Sequence, residues 1–192
     1  MLFNYTIHMS LNEAAYVALI VIELLILMST AAYSVFLVYS WLKGAPFVGT
    51  ESKELDDIFS SIPITADMTF LDIGCGDGRV VINAVKKYKV SGVGVDINPI
   101  LIWSARLSAS WQKLHNIKFY ISDIERANFS KADIIYIYLF PKFIGKLSKK
   151  IQNEVHHGSY IISHAFKIDY LEKYLLKTVK GKKFKTYIYL FT

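Results

Sequence analysis

The run Thr69-Phe70-Leu71-Asp72-Ile73-Gly74-Cys75-Gly76-Asp77-Gly78-Arg79 constrains what this chain can fold into more than any other stretch. Bulky and β-branched residues predict a buried strand through Ile73. Glycines at positions 74, 76 and 78 predict a tight turn in which the backbone can approach a ligand. Val80, Val81, Ile82, Ala84 and Val85 then supply the apolar positions of a helix whose amino end faces the turn. A dinucleotide fingerprint would read Gly-x-Gly-x-x-Gly, but Arg79 stands where its third glycine belongs and Gly78 comes one residue early.

Beyond that helix, Ser91-Gly92-Val93-Gly94-Val95-Asp96 predicts a second strand ending in a carboxylate, the place for an acceptor of ribose hydroxyls. Strand, glycine turn, helix, strand and acid in this order resemble the cofactor site of class I S-adenosylmethionine-dependent methyltransferases. The resemblance implies S-adenosyl-L-methionine as cofactor and a Rossmann-like α/β fold, with a mainly parallel sheet and helices on both faces. It assigns backbone contacts to Gly74, Gly76 and Gly78, the methionine end to Asp72, the ribose to Asp96 and the adenine amine to Asp123. Ile97 would pack on the adenine, and Cys75 reads as a small filler within the cofactor turn. As the sole cysteine of the chain, Cys75 excludes an intrachain disulfide and fits a reducing compartment. No metal site is expected.

From Ala14 to Leu42 the only side chain expected to carry charge is Glu23, in a run dense in Ile, Leu, Val, Ala and Met. A helix needs about 20 apolar residues to cross a hydrocarbon core of roughly 30 Å, so residues 14–42 are expected to span a membrane once. Tyr16 near one end, and Tyr39 with Trp41 near the other, sit where an interfacial aromatic belt would place them. A cleaved signal peptide is disfavoured, because residues 1–13 carry no Lys or Arg and the run is too long for an h-region. Lys43 and Lys53 follow the span, so the positive-inside rule puts the amino terminus outside and the rest on the cytoplasmic side.

The prolines punctuate the rest of the chain: Pro46 after the span, Pro63 after a short helix over 50–61, and Pro99 and Pro141 at helix starts. Residues 43–62 read as a pre-domain segment and 63–192 as the methyltransferase domain. Further helices are expected from Pro99 to about His115, over 142–156, and for a turn or two around Asp169–Tyr174. Further strands are expected at Lys118–Ile121, Ile134–Phe140, Tyr160–Ser163 and Tyr187–Phe191.

The membrane helix, the segment Ala45-Pro46-Phe47-Val48-Gly49-Thr50, the cofactor turn and the lack of an inserted substrate lobe narrow the resemblance. Together they are similar to the protein-lysine methyltransferases that modify the ATP synthase c subunit and the adenine nucleotide translocase, and to their archaeal relatives. Phe119-Tyr120-Ile121-Ser122-Asp123, Phe140-Pro141 and Ile161-Ile162-Ser163-His164-Ala165-Phe166 also resemble that family's later motifs. The chain departs from the pattern at Gly49, where the family tends to have proline, and at Glu125, where it tends to have an aromatic. Tyr138-Leu139-Phe140-Pro141 stands where methyltransferases of planar nitrogens carry Asn/Asp-Pro-Pro-Tyr/Phe.

The resemblance implies transfer of a methyl group to a lysine of a membrane or membrane-associated protein. Phe47, Tyr138, Phe140 and His164 are the candidates for an apolar, aromatic wall around that amine. Two alternatives stay open: methylation of a lipid, quinone or other small hydrophobic acceptor, and a non-catalytic membrane-tethered S-adenosylmethionine-binding protein. Residues 142–192 hold eleven lysines against Glu154, Asp169 and Glu172, which suits an anionic membrane surface. Nucleic acid ranks lower as a partner, because the anchor restricts access and no RNA-binding module is appended.

Overall fold

A computed structural model describes residues 11–43 and 52–192, with side chains described over 12–38 and 54–192. Phe47 and the segment around it lie outside the described residues. The chain divides into two compact units, Met1–Leu42 and Lys43–Thr192.

The first unit holds helix α1, Leu11–Lys43, all but its last residue. Within it Asn12–Val38 is long and apolar enough to cross a membrane. Its hydroxyls turn back on the helix: Thr30 Oγ1 donates to the Ile26 and Leu27 carbonyls at 3.0 and 2.9 Å, and Ser34 Oγ to the Thr30 carbonyl at 2.8 Å. Such internal pairing suits a helix surrounded by hydrocarbon, where no water completes a hydrogen bond.

The second unit is a sheet between two layers. Strands β1 (Thr69–Ile73), β2 (Ser91–Asp96), β3 (Ile117–Ile121), β4 (Ile134–Ile137), β5 (Tyr160–His164), β6 (Leu175–Lys180) and β7 (Lys185–Leu190) lie in the order β3-β2-β1-β4-β5-β7-β6. The five strands from β3 to β5 are mutually parallel; β7 runs antiparallel between β5 and β6. Helices α2 (Ser52–Phe59), α3 (Arg79–Tyr88) and α4 (Pro99–Trp111) join the core under one face, through Leu55, Ile58, Val81, Val85, Ile102 and Ala105. Helices α5 (Pro141–Lys146) and α6 (Ser148–Glu154) cover the other, through Phe143, Ile144, Leu147 and Ile151. Strand order reverses between β1 and β4. A parallel α/β sheet binds its ligands in the crevice outside the carboxyl ends at such a point.

Three local expectations need correction. The helix expected over 142–156 is two helices that meet at buried Leu147, whose amide bonds the Ile144 carbonyl at 3.1 Å. Helix α4 stops at Trp111 rather than His115: Lys113 takes a positive φ of 54°, and the Leu114 amide reaches back to the Ala109 carbonyl at 3.0 Å. That closure satisfies the last carbonyls without the usual glycine. Strand β6 is absent from the sequence expectations, because its Lys177 and Lys180 are those of a solvated edge strand rather than of a buried one.

Candidate active site

The glycine turn is folded onto the end of β2. Gly74 N and Cys75 N both donate to the Val95 carbonyl, at 2.8 and 3.0 Å, and Gly76 N donates to Asp96 Oδ2 at 2.9 Å. Gly74, Gly76 and Gly78 all have positive φ, of 77°, 54° and 76°, a region that side chains rarely enter. Asp96 Oδ1 accepts from Asn98 N at 2.8 Å. Asn98 in turn caps α4, its Oδ1 accepting from Ile100 N and Leu101 N at 3.0 and 3.3 Å. Two elements are thus pinned by one carboxylate.

Asp72 ends up 2% exposed, and its Oδ2 has no hydrogen-bond donor among the described residues. Burial, with the charges of Asp96 and Asp77 nearby, holds its carboxyl well above the usual carboxylate range. Burial likewise raises Asp96, against the pull of its backbone donors. Cys75 is buried and its thiol is pushed up by burial, so it packs instead of reacting. Its sulfur fills the space beside Gly94, where a Cβ would come within 2.8 Å of it.

Asp72 yields a pH prediction. The folded state binds this proton more tightly than the unfolded chain does, so the stability from it is complete below the unfolded pKa, about 3.9, and is lost as pH rises through the folded value. Without cofactor, Asp72→Asn is expected to melt higher than the wild type near neutral pH, the gap closing toward about pH 4. Thermal unfolding of both proteins across that range checks it, and a pH-independent gap would contradict it.

On the same face of the sheet, β4 and β5 deliver an aromatic cluster. Tyr138 and His164 meet edge to face with centroids 4.6 Å apart, and His164 stacks on Tyr136 at 6.3 Å. Phe184, from the turn between β6 and β7, closes the cluster at 5.9 Å from His164 and 6.3 Å from Tyr138. Phe184 is not among the residues that the sequence singles out; an aromatic ring in the lysine-rich run Lys182-Lys183-Phe184-Lys185 gives no signal until the hairpin carries it over the end of β5. His164 is 1% exposed, its Nδ1 lies 2.8 Å from Thr186 Oγ1, and burial lowers its pKa to about 4. It is therefore neutral at physiological pH. Ala165 next to it holds a positive φ of 69°, a strained conformation of the kind that collects at functional sites.

Not every candidate joins this group. Phe140 caps α5 and its ring contact runs to Phe166 at 6.0 Å. Asp123 caps the 3-10 turn Ile124–Arg126, with Oδ1 accepting from Glu125 N at 3.0 Å. It follows β3, whose end is tied to β2 by the bond from Ser122 N to the Asp96 carbonyl at 2.9 Å. Ile97 is half-buried, directly after Asp96. The edge therefore carries an acid-lined turn at β1 and β2 and an aromatic wall at β4 and β5.

The family described as the ANTKMT methyltransferase domain matches residues 72–174, more than half of the chain. The chain belongs to this family. Every candidate residue except Phe47 and Phe184 lies within the span shared with the ANTKMT methyltransferase domain, which begins at Asp72 itself. The human lysine N-methyltransferase of the ATP synthase c subunit is 34% identical over 122 residues, 63% of this chain and 52% of the relative. A protein-lysine N-methyltransferase of Saccharolobus islandicus is 28% identical over 135 residues, 67% of this chain and 81% of the relative. The chain spans about half the length of the vertebrate relatives it matches. Among solved structures, an RNA methyltransferase of Salinibacter ruber in complex with S-adenosyl-L-homocysteine superimposes with a TM-score of 0.70 at 26% identity, covering 74% of this chain and 93% of that one.

Proposed function

We propose that this chain is an S-adenosylmethionine-dependent methyltransferase that modifies a lysine side chain of a protein in or beside a membrane. The observation that carries the proposal is the pairing, along one sheet edge, of an acid-lined glycine turn with an aromatic wall whose histidine is buried. The residues fit the cofactor. Asp72 offers one buried carboxylate oxygen, Oδ2, without a donor, where an ammonium group could bind, and the positive-φ glycines leave the turn bare. Bound there, S-adenosylmethionine would supply a methyl group activated by a sulfonium. Asp96, with Asp123 and Ile97 beyond it, would hold the nucleoside end, and Cys75 would fill the turn from behind.

A lysine amine must be neutral to attack. With a reference pKa near 10.4, neutrality at pH 7 costs roughly 4.6 kcal/mol, which desolvation by Tyr138, His164 and Phe184 beside a cationic cofactor would lower. The Tyr138 hydroxyl stays protonated, because burial and the charge of Glu54 raise its pKa. It can accept an N–H bond from the amine and so aim the lone pair. His164, with a pKa of about 4, is too weak a base to take the amine's proton and serves as wall. Phe140 turns to Phe166 instead of joining that wall, and Phe47 is proposed for it on the family resemblance alone.

The membrane part of the proposal rests on α1, with residues 14–42 as the span, 1–13 outside and 63–192 on the cytoplasmic side. The eleven lysines of residues 142–192 would add to the domain's general attraction to anionic lipid. Lysine is favoured over RNA because the relatives named for lysine are as near as 34% identical, and because Tyr138-Leu139-Phe140-Pro141 lacks the motif for planar nitrogens. Incubating membranes with methyl-labelled cofactor and the full chain, then separating protein, lipid and RNA, tests this. Label is expected in protein. Label confined to lipid or RNA would overturn the lysine reading, and cofactor binding without transfer would leave a binding protein.

A further inference from the structure

Helix α4 is apolar on two opposite sides. Ile102, Ala105 and Ala109 face the core and are buried. Directly opposite, Ile100, Trp103, Leu107 and Trp111 recur at helical spacing, and they are 49%, 68%, 43% and 80% exposed. The outward face of a surface helix is ordinarily polar, and two tryptophans in one outward stripe mark a surface that meets something other than water.

Charge indicates what that is. Between Asp96 and Asp123 the chain contains no Asp or Glu, while Arg106 and Lys113 are exposed on α4 and on its carboxyl-terminal turn. Arg106 is fixed in place by its bond to the Phe119 carbonyl at 2.6 Å, and Lys86 of α3 reaches Gln112 beside the same helix end at 3.3 Å. Apolar and tryptophan side chains rimmed by cations and free of acids are the composition of a helix lying in the headgroup layer of a bilayer.

We infer that the outward face of α4 is a lipid contact, seating Ile100, Trp103, Leu107 and Trp111 in an anionic bilayer surface with Lys86, Arg106 and Lys113 on phosphate headgroups. The inference rests on reading α1 as a membrane span, because a tethered domain meets the bilayer at high effective concentration and a shallow contact then suffices. An embedded α4 would fix which way the carboxyl edge of the sheet faces along the membrane.

Tryptophan fluorescence of the full chain in vesicles of phosphatidylglycerol and brominated phosphatidylcholine tests it. Trp41→Phe leaves Trp103 and Trp111 as reporters, whereas Trp103→Phe with Trp111→Phe leaves Trp41 of α1. In the first protein, emission is expected to fall to roughly half with brominated lipid, and to recover in high salt or with Lys86→Gln and Lys113→Gln. Strong quenching by aqueous iodide with none by lipid would overturn the inference. So would protection from both quenchers, which would mean that a protein partner or second copy covers the face. Quenching of Trp41 alone defeats the α4 contact and keeps the span; absence of Trp41 quenching defeats the span separately.

Discussion

Replacing Asp96 with alanine is expected to raise the dissociation constant for S-adenosylmethionine by about 100-fold or more, because hydrogen bonds to a charged group are worth about 1.5–3 kcal/mol each and tenfold in affinity is 1.4 kcal/mol. The side chain has two duties. Its outer lone pairs are proposed to hold the ribose, while Oδ2 holds Gly76 N at 2.9 Å and Oδ1 holds Asn98 N at 2.8 Å. Truncation removes the ligand contact and releases the turn that shapes the rest of the site. Titration calorimetry on wild type and variant measures the ratio, with thermal unfolding to confirm that the variant is folded. A ratio under about threefold in a folded variant would remove Asp96 from the site.

The second large effect is on folding. Gly78 has a φ of 76°, and a Cβ built there would lie 2.7 Å from Phe119 Cε1 and 2.9 Å from the Ala105 Cβ. Gly78→Ala adds a left-handed penalty of about 1–2 kcal/mol and overpacking of about 1–3 kcal/mol, together about 2–5 kcal/mol. For a chain of this size a loss of that order is expected to lower the melting temperature by roughly 5–15 °C. Near-ultraviolet circular dichroism of the detergent-solubilised chain reads it. A midpoint within about 2 °C of wild type would contradict the close approach of the turn to β3 and α4.

These two residues show why so much of the site is legible in the sequence. Asp96 and Gly78 act through backbone geometry over a short stretch, and a strand-turn-helix-strand run writes that geometry in consecutive letters. The buried strands β1, β2, β4 and β5 are likewise legible, because a strand covered on both faces must be apolar throughout. What escaped depends on contacts far apart in the chain. Phe184 reaches Tyr138 only because β7 pairs antiparallel with β5, and nothing in its own neighbourhood says so. Phe140 lies two residues from Tyr138 in sequence, but β4 has ended by Ile137 and the chain has turned into α5, which carries the ring to Phe166.

Helix ends escaped for another reason. Lys89 and Lys113 close α3 and α4 in the left-handed region that glycine usually fills, so the sequence carries no stop signal at either place. The double-sided character of α4 was present in the letters all along. Only burial of Ile102, Ala105 and Ala109 shows which of its two apolar stripes is left over for a partner.

The central proposal, methyl transfer to a lysine ε-amine, is tested most directly by the chemical identity of the product. After reaction of membranes with the purified chain and methyl-labelled S-adenosylmethionine, the protein fraction is hydrolysed to amino acids and the label is followed by chromatography. Label eluting with Nε-methylated lysine, and lost when the Asp96→Ala variant is used, is the expected result. Label on arginine, histidine or a carboxyl ester, with none on lysine, would contradict it.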